Sequence, residues 1–300
     1  MVLLDLLIKL KEKTPEAIRK RTGYVLILPA IVSVGVMVAG LLYLFYLSFQ
    51  TFHPFKFIVY EFTIENYLDA FFKPVYQTIM LRTLSISLAV SLTCLLLGIP
   101  YAYYIVRTDS PILQKILIIL ALAPFFIGEV VKAYGWLIIL GREGVLSSIT
   151  EALLGFKASF LYNPLSVYMG LLQVMLPFAI LIMAPSVTAV SREVEMAAQN
   201  LGATPLQAFI KVVLPQLKPG VLGAFIVTFT ISMTEYAIPD LLGGGGVDFM
   251  ANQIYMTMFN AADYPLSAAL SITLTVVVSL IVYMILKFGK VGNIFVRGVR

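Results

Sequence analysis

Long apolar runs dominate the chain, and none of them has a polar face. Each run is close to the roughly 20 residues that an α-helix needs to cross a bilayer core about 30 Å thick. Because apolar and polar residues do not alternate along these runs, the runs predict helices rather than the strands of a membrane barrel. The fold class is therefore all-α, a polytopic membrane protein with about six transmembrane helices. The runs are Tyr24 to Phe49, Thr83 to Val106, Ile116 to Leu140, Ser166 to Val190, Val221 to Ile238 and Leu266 to Leu286.

Composition supports one membrane domain and excludes a soluble core. Of 300 residues, 60% are hydrophobic and 12% are charged, whereas an ordinary soluble domain has about 25% charged residues. The first run is too long for a signal-peptide core of about 7–15 residues, so we expect it to stay attached. We predict a cytoplasmic segment 1–22, a membrane domain 23–290 and a tail 291–300. The short apolar segment 2–8 is predicted either to lie along the membrane surface or to form a disordered tail.

Lys and Arg residues are concentrated on alternate connecting segments. Since basic residues near span ends are retained in the cytoplasm, segments 107–115 and 191–219 are predicted inside, together with both termini. Segments 50–82, 141–165 and 239–265 are predicted outside. They hold few basic residues: Lys56, Lys73, Arg82, Arg142 and Lys157. The chain is thus predicted to be a multi-pass protein of the bacterial inner membrane, and its net charge of +5 needs no nucleic-acid partner.

The sequence offers little material for catalysis or cofactor binding. The single Cys94 lies inside the second span and the single His53 just past the first, so neither predicts a metal site. The run Gly243–Gly246 lacks the Lys and Ser/Thr of a phosphate-binding loop and is interpreted as a flexible outer turn. We predict no catalytic, cofactor or metal site. An intramembrane enzyme needs a nucleophile and base or a metal cluster, and a secondary transporter usually has more spans.

Three ionisable residues fall inside predicted spans. Glu129 and Lys132 share a helix face in the third span, and Glu235 lies in the outer half of the fifth. Each ionised group costs roughly 2.5–3.5 kcal/mol at a helix centre, so we expect them to face the protein interior or a watery cavity. In one interpretation they line a translocation path together with Tyr134, Trp136 and Tyr236. In the other, a Glu129–Lys132 pair and an interfacial Glu235 serve only assembly.

The inner segment 191–219 predicts a helix, a sharp turn and a second short helix. Gly202 can adopt the left-handed conformation that ends the first helix. Thr204 can cap the second helix, Pro205 suits its first position, and Gln207 completes a capping box. Pro215 and Pro219 are predicted to separate this second helix from the fifth span.

This segment resembles the EAA signature of bacterial ABC-importer permeases. The resemblance rests on Ala197-Ala198, Gly202 and Val212-Val213-Leu214-Pro215. Met196 stands where the signature has Glu, with Glu195 one residue earlier, and Val212 stands where the family usually has Ile. The resemblance implies a coupling segment that docks in a groove of a cytoplasmic ATPase. The implied coupling residues are Glu195, Ala197, Ala198, Gly202, Thr204, Pro205, Phe209, Leu214 and Pro215.

The resemblance covers residues 20 to 290, and several looser motifs are similar to the spermidine/putrescine-type permease subfamily. They include Pro124-Phe125-Phe126, Lys132-Ala133-Tyr134-Gly135-Trp136, Leu176-Pro177-Phe178 and Tyr264-Pro265-Leu266. Relatives with opine, amino-acid or iron substrates share several of these motifs. The resemblance implies a type I importer transmembrane domain with no catalytic site of its own. The implied partners are a second permease, two ATPase subunits that hold ATP and Mg, and a periplasmic or extracellular substrate-binding protein.

Overall fold

The computed structural model describes residues 16–289, and nearly all of this part is helical. The predicted all-α class is confirmed. Within the described residues the one sheet is an antiparallel hairpin of β1 (Thr51–His53) and β2 (Phe57–Val59). The helices are α1 Glu16–Leu47, α2 Glu65–Phe72, α3 Pro74–Arg107, α4 Pro111–Leu122, α5 Glu129–Leu140, α6 Val145–Leu154, α7 Pro164–Ala189, α8 Arg192–Asn200, α9 Pro205–Gln216, α10 Lys218–Met233, α11 Ala237–Gly243, α12 Met250–Tyr255 and α13 Tyr264–Phe288.

The number of membrane spans agrees with the hydropathy pattern. Four helices are long and apolar enough to cross a membrane: the Ile27–Leu47 part of α1, then α3, α7 and α13. Two bent helix pairs bring the number to six if each pair is one span. Helix α1 begins at Glu16, before the predicted start of the first run at Tyr24. The predicted surface segment 2–8 and the tail 291–300 lie outside the described residues.

The third span is not the single helix that we predicted over Ile116 to Leu140. Helix α4 continues into a 3-10 turn, Ala123–Phe126, and the chain then bends by 98° into α5. Pro124 has no N–H group to donate to an α-helical ladder. Gly128 has extended backbone angles, φ −56 and ψ 145, immediately before α5. The apolar run is continuous in sequence but broken in structure.

The fifth span also ends earlier than its predicted end at Ile238. Helix α10 stops at Met233, and α11 starts at Ala237 after a short non-helical step. In an uninterrupted helix the ring of Pro239 would clash with the carbonyl of Glu235, four residues earlier, so a break here relieves that clash.

The break at the inner end of this span lies between Pro215 and Pro219, as predicted. Helices α9 and α10 meet at Leu217, and the Pro205–Gln216 and Lys218–Met233 segments are bent by 69°. Pro215 therefore lies inside the end of α9 and Pro219 in the first turn of α10. The two prolines therefore flank the break that separates the second helix of the hairpin from the fifth span.

The core forms where α3, α7 and α10 pack against one another. Small residues allow close helix approach, as is common in membrane proteins. Gly98 on α3 faces Met183 of α7, and Gly220 on α10 faces Ser186 of α7. Three buried hydroxyls of α3 and α10 donate to the carbonyl four residues earlier: Thr83 to Ile79, Ser91 to Ser87 and Thr228 to Ala224.

The connecting segments gather at two opposite ends, as the charge pattern predicts. At one end, Arg82 Nη1 donates to the Gly246 carbonyl at 3.0 Å, and the Tyr162 N–H donates to the Leu242 carbonyl at 3.1 Å. At the other end, Arg107 Nη2 donates to the Val190 carbonyl at 2.8 Å. Which end faces the cytoplasm stays a prediction from the charge pattern. The run Gly243–Gly246 forms a turn, with Gly244 and Gly245 at φ +55 and +76.

Candidate functional site

The two helix breaks in the third and fifth spans meet at one cavity of about 310 Å³. Three ionisable side chains line it, and we call it the acidic cavity: Glu129, Lys132 and Glu235. The rest of its lining is apolar or backbone: Pro124, Phe125, Ile127, Gly128, Val174, Pro177, Phe178 and Ile231. The structure therefore brings Glu129 and Lys132 of the third span together with Glu235 of the fifth.

Glu235 is the most enclosed of these groups. It is 9% exposed, and its Oε1 accepts hydrogen bonds from the backbone N–H groups of Tyr236 at 3.1 Å and Ala237 at 3.0 Å. The carboxyl group thus occupies the gap between α10 and α11 and satisfies N–H groups that the broken helix leaves without intrahelical partners. The side chain of Glu129 lines the same cavity.

Glu129 and Lys132 do not form the ion pair of the assembly-only interpretation. Among the ion pairs of residues 16–289, no nitrogen–oxygen contact joins these two side chains within 4.0 Å. Glu129 instead lines the same cavity as a second carboxyl group, that of Glu235. With two carboxyl groups and one ammonium group on its wall, the acidic cavity can carry net negative charge.

The three aromatic residues predicted for the path lie outside the cavity lining. Tyr134 is 55% exposed on α5. Trp136 donates through Nε1 to Oε1 of Gln173 on α7 at 2.5 Å, and the Tyr236 ring packs on Tyr255 with centroids 4.9 Å apart. Sequence reasoning missed the ring pair that does line the cavity, Phe125 and Phe178, with centroids 4.8 Å apart. Both rings lie in motifs that the family resemblance singled out, but they are distant in sequence and no local pattern indicated that they pair.

The second candidate element is the hairpin of α8 and α9, residues 192–216, which we call the inner hairpin. Its turn forms as predicted, with Gly202 at φ +94. The Thr204 hydroxyl accepts from the Gln207 N–H at 3.2 Å, and Gln207 Oε1 accepts from the Thr204 N–H at 3.0 Å. This reciprocal pair is the predicted capping box, with Pro205 in the first turn of α9. A π-helical section, Phe209–Val213, continues the second helix.

One side of the inner hairpin is attached to the end of α3. Glu195 is buried, with Tyr103 donating to its Oε1 and Arg107 Nε donating to its Oε2 at 3.1 Å. Arg192 forms a two-point pair with Asp109 at 2.7 and 3.2 Å. The hydrogen bond from the Arg192 guanidinium holds the pKa of the Asp109 carboxyl group below its usual range.

The rest of the inner hairpin is exposed and includes several large apolar side chains among polar ones. Five apolar side chains share this exposure, and we call them the apolar patch: Val194 46%, Met196 48%, Leu201 90%, Leu206 66% and Ile210 50%. Among the predicted coupling residues, Ala197, Gly202, Thr204, Pro205 and Pro215 are exposed, whereas Ala198, Phe209 and Leu214 are partly covered. Sequence reasoning missed the apolar patch because hydropathy alone does not separate an exposed Leu from a buried one.

Comparison with known proteins identifies the architecture. The family model of the binding-protein-dependent transport system inner membrane component matches residues 66–288. The spermidine/putrescine transport system permease protein PotB of Escherichia coli (strain K12) is 28% identical over 248 residues, which cover 82% of this chain and 90% of that protein. PotB of Haemophilus influenzae (strain ATCC 51907 / DSM 11121 / KW20 / Rd) is 30% identical, with 82% of this chain and 86% of that protein covered.

A solved structure shares the fold. A chain of a bacterial alginate ABC transporter, in complex with an alginate pentasaccharide-bound periplasmic protein, matches with a TM-score of 0.76 and 18% identity. The match covers 93% of this chain and 96% of that chain. Since the family model covers most of the sequence and two bent helix pairs complete the expected spans, the chain belongs to the binding-protein-dependent transport system inner membrane component family.

Proposed function

We propose that this permease subunit moves a small polyamine, such as spermidine or putrescine, into the cytoplasm through the acidic cavity. The observation that carries the proposal is the meeting of Glu129 and Glu235 at the two helix breaks. Two carboxyl groups favour an ammonium group, while the rings of Phe125 and Phe178 suit a methylene chain between charged ends. The two PotB relatives are permease proteins of spermidine/putrescine transport systems, which supports the same substrate class.

The proposal includes the machinery that the family resemblance implies. This chain pairs with a second permease of the same kind, receives substrate from an external binding protein and docks on two ATPase subunits through the inner hairpin. Both termini lie in the cytoplasm. ATP and Mg are bound by the ATPase subunits, so this chain has no cofactor and performs no covalent chemistry. The exposed apolar patch is the surface that supports docking, because such patches mark interaction sites.

Lys132 supports a second candidate substrate. Its ammonium group lines the same cavity as the two carboxyl groups, and a zwitterion such as an amino acid or an opine would use both signs of charge. Uptake and competition separate the two candidates. If the substrate is a polyamine, labelled spermidine should be taken up and unlabelled putrescine should suppress that uptake. If the substrate is a zwitterion, a labelled amino acid or opine should be taken up and labelled spermidine should not.

The direct test is Glu235→Gln in the complete transporter reconstituted in vesicles. The Gln side chain keeps an oxygen that can accept from the N–H groups of Tyr236 and Ala237, so the break between α10 and α11 is retained while the charge is removed. A hydrogen bond to a charged group contributes about 1.5–3 kcal/mol, so we expect spermidine uptake at limiting concentration to fall roughly tenfold or more. The measurement is initial uptake rate against spermidine concentration.

The control is Glu151→Gln, which removes a half-exposed carboxylate on α6, far from the cavity. Uptake by this variant should match that of the wild-type protein. Unchanged spermidine and putrescine uptake in Glu235→Gln across the concentration range would remove Glu235 from the path and refute the proposed role of the acidic cavity.

A further inference from the structure

Glu195 is a buried carboxylate in a hairpin whose neighbouring positions are open. It is 6% exposed, whereas Val194 and Met196 on either side are 46% and 48% exposed. A carboxylate at the surface of α8 would be free to meet an ATPase subunit. The Glu195 side chain instead points toward the protein and away from that surface.

Two residues near the end of α3 bind the Glu195 carboxylate. Tyr103 donates its hydroxyl to Oε1, and Arg107 donates Nε to Oε2 at 3.1 Å. The same guanidinium donates Nη2 to the Val190 carbonyl at 2.8 Å, at the point where the chain enters the inner hairpin. The side chains of Arg107 and Glu195 are 14% and 7% exposed, so solvent screens this pair little. Removal of one charge would leave the other buried without a partner.

The second helix of the inner hairpin is attached to the same place. The Phe209 ring of α9 packs edge-on against Tyr103, with centroids 4.8 Å apart. Just past the end of α3, Asp109 takes the two-point contact from Arg192 of α8. Both helices of the hairpin are therefore held to the last turns of α3, where Tyr103 and Arg107 lie one turn apart.

We propose that Tyr103, Arg107 and Glu195 form an internal anchor that fixes the inner hairpin to α3, so that Glu195 positions the hairpin and makes no contact with the ATPase. The proposal rests on the proposed coupling role of the hairpin. Displacement of the hairpin by the ATPase is passed to α3, which packs along α7 and α10. Helix α10 ends beside Glu235, so the anchor joins the docking end to the acidic cavity through packed helices.

The anchor also assigns the docking surface. With Glu195 turned inward, the outward surface of the hairpin combines the apolar patch and Ala197 with exposed polar residues such as Glu193, Gln199 and Lys211. Met196, which stands where the EAA signature has Glu, is on this outward surface. Docking in this protein is therefore apolar at the position where the signature places a charge.

The test uses the complete transporter with spermidine as the probe. We compare Glu195→Gln, Arg107→Met, Tyr103→Phe and the exchange Glu195→Arg with Arg107→Glu. The readouts are the ATP hydrolysed per spermidine imported and the amount of ATPase that co-purifies. Coupling between sites typically amounts to a factor of 5–150. We expect roughly a fivefold or greater rise in ATP per spermidine for the first two variants, with wild-type ATPase co-purification, and a smaller rise for Tyr103→Phe.

Double variants, compared with the single variants, serve as the controls. Combining Glu195→Gln with Arg107→Met should raise the ratio no further than either change alone, and the charge exchange should restore part of the coupling. Glu193→Gln, a matched change at an exposed position of α8, should combine additively with Arg107→Met. Tyr103→Phe removes one hydroxyl and keeps the ring on Phe209, so it tests the anchor even if a charge variant fails to fold.

Two results would overturn the anchor. One is loss of ATPase co-purification in Glu195→Gln with normal coupling in Arg107→Met, since Glu195 would then be a docking contact. The other is normal coupling in Glu195→Gln, Arg107→Met and Tyr103→Phe, while Gly202→Val, which strains the turn of the hairpin, still uncouples transport. If the hairpin has no coupling role at all, Gly202→Val will also transport normally. That result distinguishes failure of the coupling role from failure of the anchor.

Discussion

Gly202 is the residue at which the inner hairpin reverses direction. Its φ of +94 lies in the left-handed region, where a residue with a β-branched side chain is strained. The turn is closed by the Gly202 N–H to the Gln199 carbonyl at 2.9 Å and the Ala203 N–H to the Ala198 carbonyl at 3.1 Å. A Cβ atom at Gly202 would meet no atom within 4 Å. The requirement for Gly is therefore one of backbone conformation and not of space.

We predict that Gly202→Val abolishes uptake and uncouples or releases the ATPase while the spans still insert. The strained turn costs roughly 1–3 kcal/mol or redirects α9 away from its docking position. The measurement is ATPase co-purification together with substrate-stimulated hydrolysis in vesicles. Gly202→Asn should retain much of both, because Asn tolerates the left-handed region better. Gly155→Val applies the same strain at φ +77 on the opposite end of the protein and should leave coupling normal. Normal coupling in Gly202→Val would make the hairpin a simple connector.

At the scale of helices, contacts between residues close in sequence were predictable from the sequence, and contacts between distant residues were not. The caps at Gly202, Thr204 and Gln207 depend on residues a few positions apart, so the sequence revealed them. The burial of Glu195 depends on Arg107, 88 positions away, and no local pattern carries that information. The break near Gly128 was missed because hydropathy measures how apolar a run is and not whether its helix is continuous. Pro124 and Gly128 were the available signals.

Helix α10 approaches α7 most closely at Gly220. A Cβ atom there would lie 2.5 Å from Ser186 Cβ, and neither atom can rotate away because both are fixed to helix backbones. We predict that Gly220→Ala lowers the free energy of unfolding by about 1–3 kcal/mol through overpacking. Ser186→Gly costs about 1 kcal/mol alone but should offset part of the loss in the double variant. Thermal unfolding of the purified transporter in detergent measures both.

Gly223→Ala is the matched control for this helix pair. It lies one turn further along α10, where a Cβ atom would meet Ile182 Cγ2 at an ordinary contact distance of 3.6 Å. Its melting temperature should stay within a degree or two of the wild-type value, since Ala favours helix over Gly. Equal destabilisation by Ala at positions 220 and 223 would contradict the close crossing of α7 and α10.

At the scale of the whole molecule, the exposed apolar surface of α1 requires an apolar environment around the protein. None of the most apolar part of this helix, within Ile27–Leu47, is buried inside the chain, and its exposed side chains are apolar all round. The helix packs mainly against α13. Its remaining surface is suited to lipid or to a neighbouring membrane subunit. The polar connections lie at the two ends, so the orientation of those ends decides which surface meets an ATPase.

The orientation prediction uses cysteines introduced at the exposed Ser148 and Thr204 and at the half-buried Asp248. The background is Cys94→Ala, which removes a fully buried native thiol. Ser148 lies on α6 and Asp248 on the loop before α12, both at the end that the Lys and Arg distribution assigns to the outside. Thr204 lies at the opposite end. In intact cells an impermeant thiol reagent should label Ser148→Cys and Asp248→Cys but not Thr204→Cys. Permeabilised cells without the ATPase should also label Thr204→Cys, which shows that its thiol is reactive. Labelling of Thr204→Cys from outside intact cells would reverse the orientation and place the inner hairpin where no cytoplasmic ATPase could reach it.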